Sequence, residues 1–222
     1  MRVSRRPKRA SLLLIAALVA ACSASPERSP QPAPSQPPPP RAEVPAGLVP
    51  VTVDVAADLA RTPFDVPRTA AVPAGWTISV WARVNRARFA VWAPDGALLV
   101  SKPAYGEVVR LEPNPTGPPR YSLLLETLTL PHGLAFSGST LYVAESDQIN
   151  AYTYANGRAT NRRTIVDGLP DAKSLDLHGA YTHQLKSVAI GRDGAIYFSI
   201  GSTGNVSAED RTANPPRASI MR

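Results

Sequence analysis

The apolar and polar positions of this chain fall into short strand–turn–strand units over its second half. Three segments place apolar runs on both sides of a tight turn that contains glycine, and this pattern predicts β-hairpins. They are FAVWAPDGALLVS at 89–101, LAFSGSTLYVAE at 134–145 and VAIGRDGAIYFSI at 188–200. Other strand-like runs lie between the hairpins, at 107–111, 121–128, 148–154 and 163–167. No strong amphipathic helix interrupts these runs, so the sequence predicts an all-β fold.

The spacing of the three hairpins indicates an architecture. Leu98, Leu141 and Ile196 occupy one repeat position, which places successive copies 43 and 55 residues apart. A propeller blade has four strands in roughly 40 to 50 residues, so the spacing predicts a β-propeller with a loop inserted in the longer interval. Because Asp-Gly hairpins occur throughout β proteins, a β-sandwich is the alternative on the repeat alone.

Three stretches resemble the glucose and sorbosone dehydrogenase family, whose members are quinoprotein sugar dehydrogenases on six-bladed propellers. The stretches are PAGWTISVWARVNRARFAVWAPDGALLVSKPAYGEVVRLE, LPHGLAF with LYVAESDQI, and THQLKSVAIGRDGAIYFSIGSTGN. The most specific part is His183-Gln184 followed by residues 188–201. The resemblance begins at about Val72 and implies a six-bladed propeller, of which this chain holds about three blades. It also implies the cofactor pyrroloquinoline quinone (PQQ).

His183 is the predicted catalytic residue. In the family that this chain resembles, a histidine at this place is the general base, which removes the proton of a sugar hydroxyl while hydride passes to PQQ. An unperturbed imidazole titrates near about pH 6.5, so a neutral proton acceptor is available at neutral pH. The structural alternative is that His183 is a loop residue at the start of a strand.

Lys186 and His132 are predicted to contact the cofactor. Lys186 follows His183 by three residues, and a cation there could meet a carboxylate of PQQ. The soluble glucose dehydrogenase branch of the family has a Gly-Arg pair where this chain has Lys186-Ser187, so the sorbosone-like branch fits better. His132-Gly133 precedes the second hairpin, near where the family places a polar cofactor contact, although a turn residue is the alternative. His178 has no motif support and is interpreted as a loop residue.

The N-terminus has the features of a bacterial lipoprotein signal. Five basic residues at positions 2–9 precede an apolar run at 11–21, and Val19-Ala20-Ala21 stand directly before Cys22. The apolar run is too short to span a bilayer comfortably. We therefore expect residues 1–21 to be a signal peptide and Cys22 to be lipidated after cleavage. Several acyl chains would give stable membrane attachment.

The segment after Cys22 is predicted to be a tether, and the domain to follow it. Residues 23–50 hold 10 of the 24 prolines, and proline favours an extended spacer. We place a lipidated cysteine and proline-rich tether at 22–50 and the propeller at 51–222. The formal charge of +7 falls once the signal is removed, because the remaining chain has 19 basic residues against 17 acidic ones. That balance gives no reason to expect nucleic-acid binding.

Several other chemistries find no motif in the sequence. It contains no Gly-rich phosphate loop, HExxH or GxSxG sequence, and Cys22 is its single cysteine, so no cysteine pair can hold zinc. The family resemblance implies calcium, whose ligands we expect beyond the end of this chain. Six blades need more residues than the chain has, so we expect it to be the N-terminal part of a longer reading frame.

Together these inferences predict a lipid-anchored, PQQ-dependent dehydrogenase that oxidises an aldose hydroxyl or a hydrated aldehyde. Its expected partners are the sugar, the quinone, a downstream electron acceptor and the membrane through Cys22. Its expected location is the periplasmic side of a bacterial envelope, at the outer membrane in a diderm cell. The alternatives are a non-catalytic propeller that binds carbohydrate or a protein partner, and a calcium-dependent lactonase-like propeller.

Overall fold

The structure is a computed structural model that describes residues 46–173 and 182–222. The predictions for the signal peptide, Cys22, most of the tether and His178 concern residues outside these ranges. Within the described ranges, no helix has both the length and the apolar composition needed to cross a membrane.

Two small strand pairs precede the repeated hairpins. β1 (Leu48–Thr52) pairs antiparallel with β3 (Thr69–Pro73), and β2 (Asp54–Val55) pairs parallel with β4 (Ser79–Val80). The predicted boundary between tether and domain, at residues 50 and 51, therefore falls inside β1. The guanidinium of Arg83 donates hydrogen bonds to the carbonyl oxygens of Leu59, Arg61 and Thr62, at 3.2, 2.7 and 2.6 Å. These bonds hold the loop between β2 and β3 against the segment that follows β4.

Three antiparallel sheets follow, and in each the strands pair in chain order. The first sheet contains β5 (Phe89–Trp92), β6 (Leu98–Lys102), β7 (Glu107–Glu112) and β8 (Arg120–Leu125). The second contains β9 (Leu134–Ser137), β10 (Thr140–Ala144), β11 (Ile149–Ala155) and β12 (Arg158–Val166). The third contains β13 (Val188–Ile190), β14 (Ile196–Ile200) and β15 (Ser219–Met221). Short 3-10 turns lie at Pro103–Tyr105 and Glu209–Arg211.

All three predicted hairpins are present, as β5–β6, β9–β10 and β13–β14. The Asp-Gly turns of the first and third form in the same way. Asp95 and Asp193 each accept a hydrogen bond from the backbone N–H two residues later, at 3.2 and 3.1 Å. Gly96 and Gly194 then take a positive φ of 83° and 77°, which glycine adopts without strain. The sequence of these turns thus determines their local geometry.

Two strand boundaries differ from the sequence prediction by more than one residue. β8 ends at Leu125 rather than at residue 128, and β12 begins at Arg158 rather than at residue 163. The second difference has a local cause, because β11 and β12 are joined by the two-residue turn Asn156-Gly157. Both turn residues have positive φ, 51° and 69°, as a type I′ hairpin turn requires. Because the turn is this tight, β12 pairs with β11 directly after it, from Arg158 onward.

Among the described residues, two of the three hydrophobic clusters lie between the sheets, and a smaller one packs the first sheet against the segment that follows β4. Strand β10 separates two clusters, since Leu141 and Val143 face the first sheet while Tyr142 and Ala144 face the third. Buried members of the cluster between the first two sheets are Ala93, Leu99, Val108, Leu128, Leu134, Leu141, Val143, Tyr152 and Tyr154. Buried members of the cluster between the second and third sheets are Ala135, Ala144, Ile149, Leu169, Val188, Phe198 and Ile200. The alternation of residues along each strand buries both faces of the middle sheet.

The sheets are therefore the blades of a β-propeller, and the predicted all-β class is confirmed. The first strand of the second blade, β9, contacts the first strands of both neighbouring blades, β5 and β13. In such an antiparallel sheet, the chain enters the first strand at the same end at which the second strand turns into the third. We call this end the entry end. It gathers the connections before β5, β9 and β13 and the loops that join the second to the third strand of each blade.

Candidate active site at the entry end of the blades

His183 lies at the entry end, just before β13, and its position is set by the loop that follows β14. The backbone N–H and the hydroxyl of Thr182 both donate to the carbonyl oxygen of Thr203, each at 3.0 Å. Gly201 allows the two segments to approach, because a Cβ atom added there would lie 2.9 Å from the Cβ of His183. The histidine is thus held at a close crossing of two backbone segments.

The imidazole of His183 is exposed and has one defined partner. Its Nδ1 atom lies 2.9 Å from the hydroxyl oxygen of Ser202. A neutral imidazole that donates from Nδ1 to this hydroxyl keeps a lone pair on Nε2, which a general base needs. The arrangement can therefore accept a proton from a bound hydroxyl, although the assigned role of His183 stays a prediction.

His132 lies just before β9 and has a different environment. Its Nδ1 atom is 3.2 Å from the backbone carbonyl oxygen of Lys186, and since a carbonyl only accepts, Nδ1 carries the proton. The ring packs against Phe89, with 5.7 Å between ring centroids. Burial lowers the pKa of His132, a shift that the Lys186 hydrogen bond opposes and the charge of Arg88 reinforces. His132 is therefore a neutral imidazole near neutral pH.

Lys186 is fully buried between the second and third blades. Its ammonium donates to the carbonyl oxygens of Pro170 and Gln184, at 2.8 and 2.7 Å. Burial lowers the pKa of Lys186 to about 8, and the nearby Asp171 and Asp147 partly oppose that shift. The side chain thus reaches backbone carbonyls between the blades. The predicted contact of Lys186 with a cofactor carboxylate stays a prediction.

The predicted residues His132 and Lys186 are brought together by Gly133. Its N–H donates to the carbonyl oxygen of Lys186 at 2.9 Å. A Cβ atom at Gly133 would lie 2.6 Å from the backbone nitrogen of Val188 and 2.8 Å from the Cα of Ser187. Only glycine allows the starts of β9 and β13 to come this close. The His132-Gly133 pair that stands out in the sequence therefore has a structural reason.

A cavity of about 450 Å3 opens beside His183. Thr182 and Gln184, the two chain neighbours of His183, both line it. The remaining lining residues come from the segment before β5, the turn after β6 and the connections before β9 and β13: Arg86, Ala87, Arg88, Pro103, Ala104, Leu130 and Leu185. This volume lies within the usual range for small-molecule sites. A second cavity of about 500 Å3 shares Pro103, Ala104, Leu130 and Gln184 with it and extends toward Ser146 and Asp171.

Arg86 and Arg88 were not predicted as site residues from the sequence, and they make the cavity electropositive. Both are exposed, and within the described part of the chain neither forms an ion pair with a carboxylate. Arg88 lies one residue before β5, His132 two residues before β9 and His183 five residues before β13, so all three lie on the connections that enter the first strand of a blade. Across the described residues, no three His, Cys, Asp or Glu side chains are grouped so as to hold a metal ion.

Comparisons with known proteins identify the class of this propeller. A family model described as TrAA12-like matches residues 70–222. The chain belongs to this family, which confirms the resemblance to the sugar dehydrogenase propellers. No curated protein gives a significant match.

Two solved structures have a similar fold. The holo PQQ domain of pyranose dehydrogenase from Coprinopsis cinerea has a TM-score of 0.56 at 23% identity, and the alignment covers 67% of this chain and 36% of that one. The calcium structure of a Trichoderma reesei protein of carbohydrate-active enzyme family AA12 has a TM-score of 0.51 at 24% identity, with 61% and 34% covered. The chain thus spans about a third of the length of these structures.

Proposed function

We propose that this chain provides the base-bearing part of a PQQ-dependent sugar dehydrogenase. The observation that carries the proposal is the exposed imidazole of His183, held at 2.9 Å by Ser202 beside an arginine-lined cavity of about 450 Å3. The similarity to a domain described as the PQQ domain of a pyranose dehydrogenase supports it.

The residues of the cavity suit an anionic quinone. PQQ is planar and carries carboxylates, and guanidinium groups bind carboxylates with two parallel hydrogen bonds. Arg88 and Arg86 would hold those carboxylates, while Leu130 and Leu185 offer apolar surface to the ring system. The bound quinone would supply a two-electron acceptor for hydride. Calcium stays an expectation from the family resemblance.

Residues of this chain would take up the proton and stabilise the charge that forms. His183 accepts the proton of the sugar hydroxyl at Nε2, because Nδ1 is occupied by Ser202. The Ser202 hydroxyl accepts from Nδ1 and so stabilises the imidazolium that forms. His132 is held neutral by burial, so it adds no positive charge that would oppose protonation of His183.

The proposal includes a location. We infer that Cys22 is lipidated and that the propeller is held on the periplasmic side of a bacterial envelope, where it passes electrons to an acceptor. The support is the signal-like sequence that precedes Cys22. Replacing Cys22 with Ser should move the protein from the membrane fraction to the soluble fraction. Continued membrane retention of Cys22→Ser would remove this part of the proposal.

Quinone binding and turnover can be separated by experiment. PQQ binding would be measured by quenching of tryptophan fluorescence, with and without calcium, and turnover by dye reduction with a panel of aldoses. Both would be run on this chain and on a version extended through any downstream reading frame. His183→Ala should retain PQQ binding and lose at least 100-fold in turnover. Arg88→Met should weaken PQQ binding at least tenfold, whereas Arg120→Met, on the outer strand β8, should leave it unchanged.

Three outcomes would redirect the proposal. Turnover of His183→Ala within a few-fold of the wild type would show that His183 is not the base. Absence of PQQ binding by both versions would favour a non-catalytic binding propeller. Calcium-dependent hydrolysis of a sugar lactone without quinone would favour the lactonase-like alternative.

A further inference from the structure

The loop between β14 and β15, residues 201–218, contains a buried charged cluster that the proposed chemistry does not use. Asp210 accepts hydrogen bonds from the backbone N–H of Thr203 at 2.9 Å and from its hydroxyl at 2.6 Å. Arg217 donates to that hydroxyl at 2.7 Å and lies 3.8 Å from the Asp210 carboxylate. The side chains of Arg217 and Asp210 are only 5% and 10% exposed. Asp210 and Arg217 therefore hold Thr203 from two sides, an arrangement that we call the clamp.

Thr203 connects this cluster to His183. Its N–H and hydroxyl bind Asp210, while its carbonyl oxygen accepts both hydrogen bonds of Thr182, the residue before His183. Ser202, the residue before Thr203, contacts the imidazole itself. The Asp210 carboxylate thus fixes the segment that determines both the backbone position and the hydrogen-bond partner of His183.

Stability alone is a weak reason for such a cluster. Removing a carboxylate and a guanidinium from water is costly in free energy, and an apolar cluster of the same volume is often at least as stable. What charged groups in a dry environment provide is directional bonding at fixed positions. A general base needs that fixed position, because misplacement by about 1 Å can reduce turnover strongly.

We propose that Asp210 is a positioning residue for His183, which acts through Thr203 and Ser202 without touching substrate or cofactor. This inference rests on the proposed role of His183 as the base. In physical terms, the clamp on Thr203 holds the neighbouring Ser202 hydroxyl where it accepts a hydrogen bond from Nδ1 of His183. His183 then keeps its proton on Nδ1 and its lone pair on Nε2. Without the clamp, the neutral imidazole would exchange between both tautomers.

The test compares Asp210→Asn with Glu209→Gln in the full chain. Both variants remove one negative charge from the same 3-10 turn, but Glu209 is exposed, and among the described residues the hydrogen bonds to the N–H and hydroxyl of Thr203 come from Asp210 and Arg217. The chain has only three histidines, so 15N-labelled histidine allows the tautomer of each ring to be read by NMR, without cofactor. We expect the Nδ1–H tautomer of His183 in the wild type and in Glu209→Gln. We expect a mixture of tautomers in Asp210→Asn.

The kinetic readout should follow the spectroscopic one. In the PQQ-loaded protein, Asp210→Asn should lower kcat at least tenfold and change KM less than twofold, and Glu209→Gln should change neither. Thr203→Val provides a second variant if Asp210→Asn does not fold, since it keeps the Asp210 charge and removes the clamped hydroxyl. Thr203→Ser keeps that hydroxyl and should behave as the wild type.

Two results would overturn the inference: an unchanged His183 tautomer in Asp210→Asn, or equal effects of Asp210→Asn and Glu209→Gln. Failure of the proposed function is separate and visible elsewhere. If His183→Ala retains turnover, the base assignment is wrong, whereas the NMR comparison still decides whether Asp210 positions His183.

Discussion

The contact between the first and second blades differs from the contact between the second and third. The first buries the larger cluster of apolar and aromatic side chains, and the Tyr154 hydroxyl reaches across it to the Asp95 carboxylate at 2.9 Å. The second buries fewer apolar residues and contains the fully buried Lys186. Backbone segments of the second and third blades also cross closely at Gly133.

The difference shows which contact between blades relies on apolar packing and which one holds backbone segments at fixed positions through hydrogen bonds. The stabilisation that apolar contact provides is non-directional and roughly proportional to the buried apolar area, so it changes little when side chains shift slightly. The carbonyl and ammonium of Lys186 bind fixed partners on the connections before β9 and β13. The same connections carry His132 and His183. The polar contact between blades is therefore the one that sets the geometry of the candidate site.

The largest effect that separates the two contacts is expected at Gly133. Gly133→Ala would place a Cβ atom 2.6 Å from the backbone nitrogen of Val188, and backbone cannot move aside cheaply. We expect a loss of about 3 kcal/mol in the free energy of unfolding, measured by urea denaturation. Gly117→Ala is the matched control, because its nearest new contact is 3.7 Å away. Equal stability of the two variants would mean that the strands are not packed this closely.

The next effect concerns Lys186 and depends on pH. The pKa of Lys186 is lowered to about 8 in the fold from an ordinary value of 10.5. Between these values the unfolded chain binds more protons, so the wild type should gain stability as the pH rises from about 8 to 10.5, by roughly 3 kcal/mol. Below about pH 8 that gain is absent.

Lys186→Met removes the titrating group and should remove this rise. It also leaves the carbonyl oxygens of Pro170 and Gln184 without the amine, which costs about 1–3 kcal/mol. The deficit of the variant should therefore be largest near pH 10. Urea denaturation at several pH values measures it, with Lys173→Met at an exposed position as the control. A wild type and a Lys186→Met variant with parallel pH profiles would contradict the assignment.

The smallest effect tests the apolar contact through two tyrosines on β11. Tyr152 and Tyr154 are both 4% exposed and lie in the same cluster. The Tyr154 hydroxyl donates to Asp95 and accepts from Arg110, whereas the buried Tyr152 hydroxyl has no hydrogen-bond partner among the described residues. Tyr154→Phe should cost about 1 kcal/mol, and Tyr152→Phe should be neutral or slightly stabilising.

Thermal unfolding of the two Phe variants measures this difference, since the substitutions are chemically identical. A Tyr152→Phe variant that is less stable than Tyr154→Phe would show that the edge network of Asp95, Arg110 and Tyr154 does not join the first two blades.

The parts of the fold that depend on near neighbours in the chain could be predicted from the sequence. The three hairpins follow from apolar alternation and from turns such as Asp95-Gly96, where a side-chain hydrogen bond and a positive φ are local events. Asn156-Gly157 is an equally strong turn signal, and β12 begins directly after it, five residues before its predicted start.

The candidate site could be predicted only in part. His183 and the His132-Gly133 pair stand out through their family resemblance, and the structure places both at the entry end, while their roles stay predictions. Arg88 escaped notice because it lies 95 residues before His183 and no local motif surrounds it. Its signal in the sequence is its place on the connection that enters the first strand of a blade, which it shares with His132 and His183.

By itself, the sequence determined the all-β class, the positions of the hairpins and the residues able to do proton chemistry, because these depend on short-range alternation, turn geometry and side-chain type. Only the tertiary structure decided that Lys186 is buried with its ammonium on carbonyl oxygens and that Arg88 borders the same cavity as the neighbours of His183. It also decided that Asp210 binds Thr203 in the loop that contacts His183. These relations depend on how separate blades pack around their first strands. The alternation of residues within one blade does not specify which side chains of the next blade they will contact.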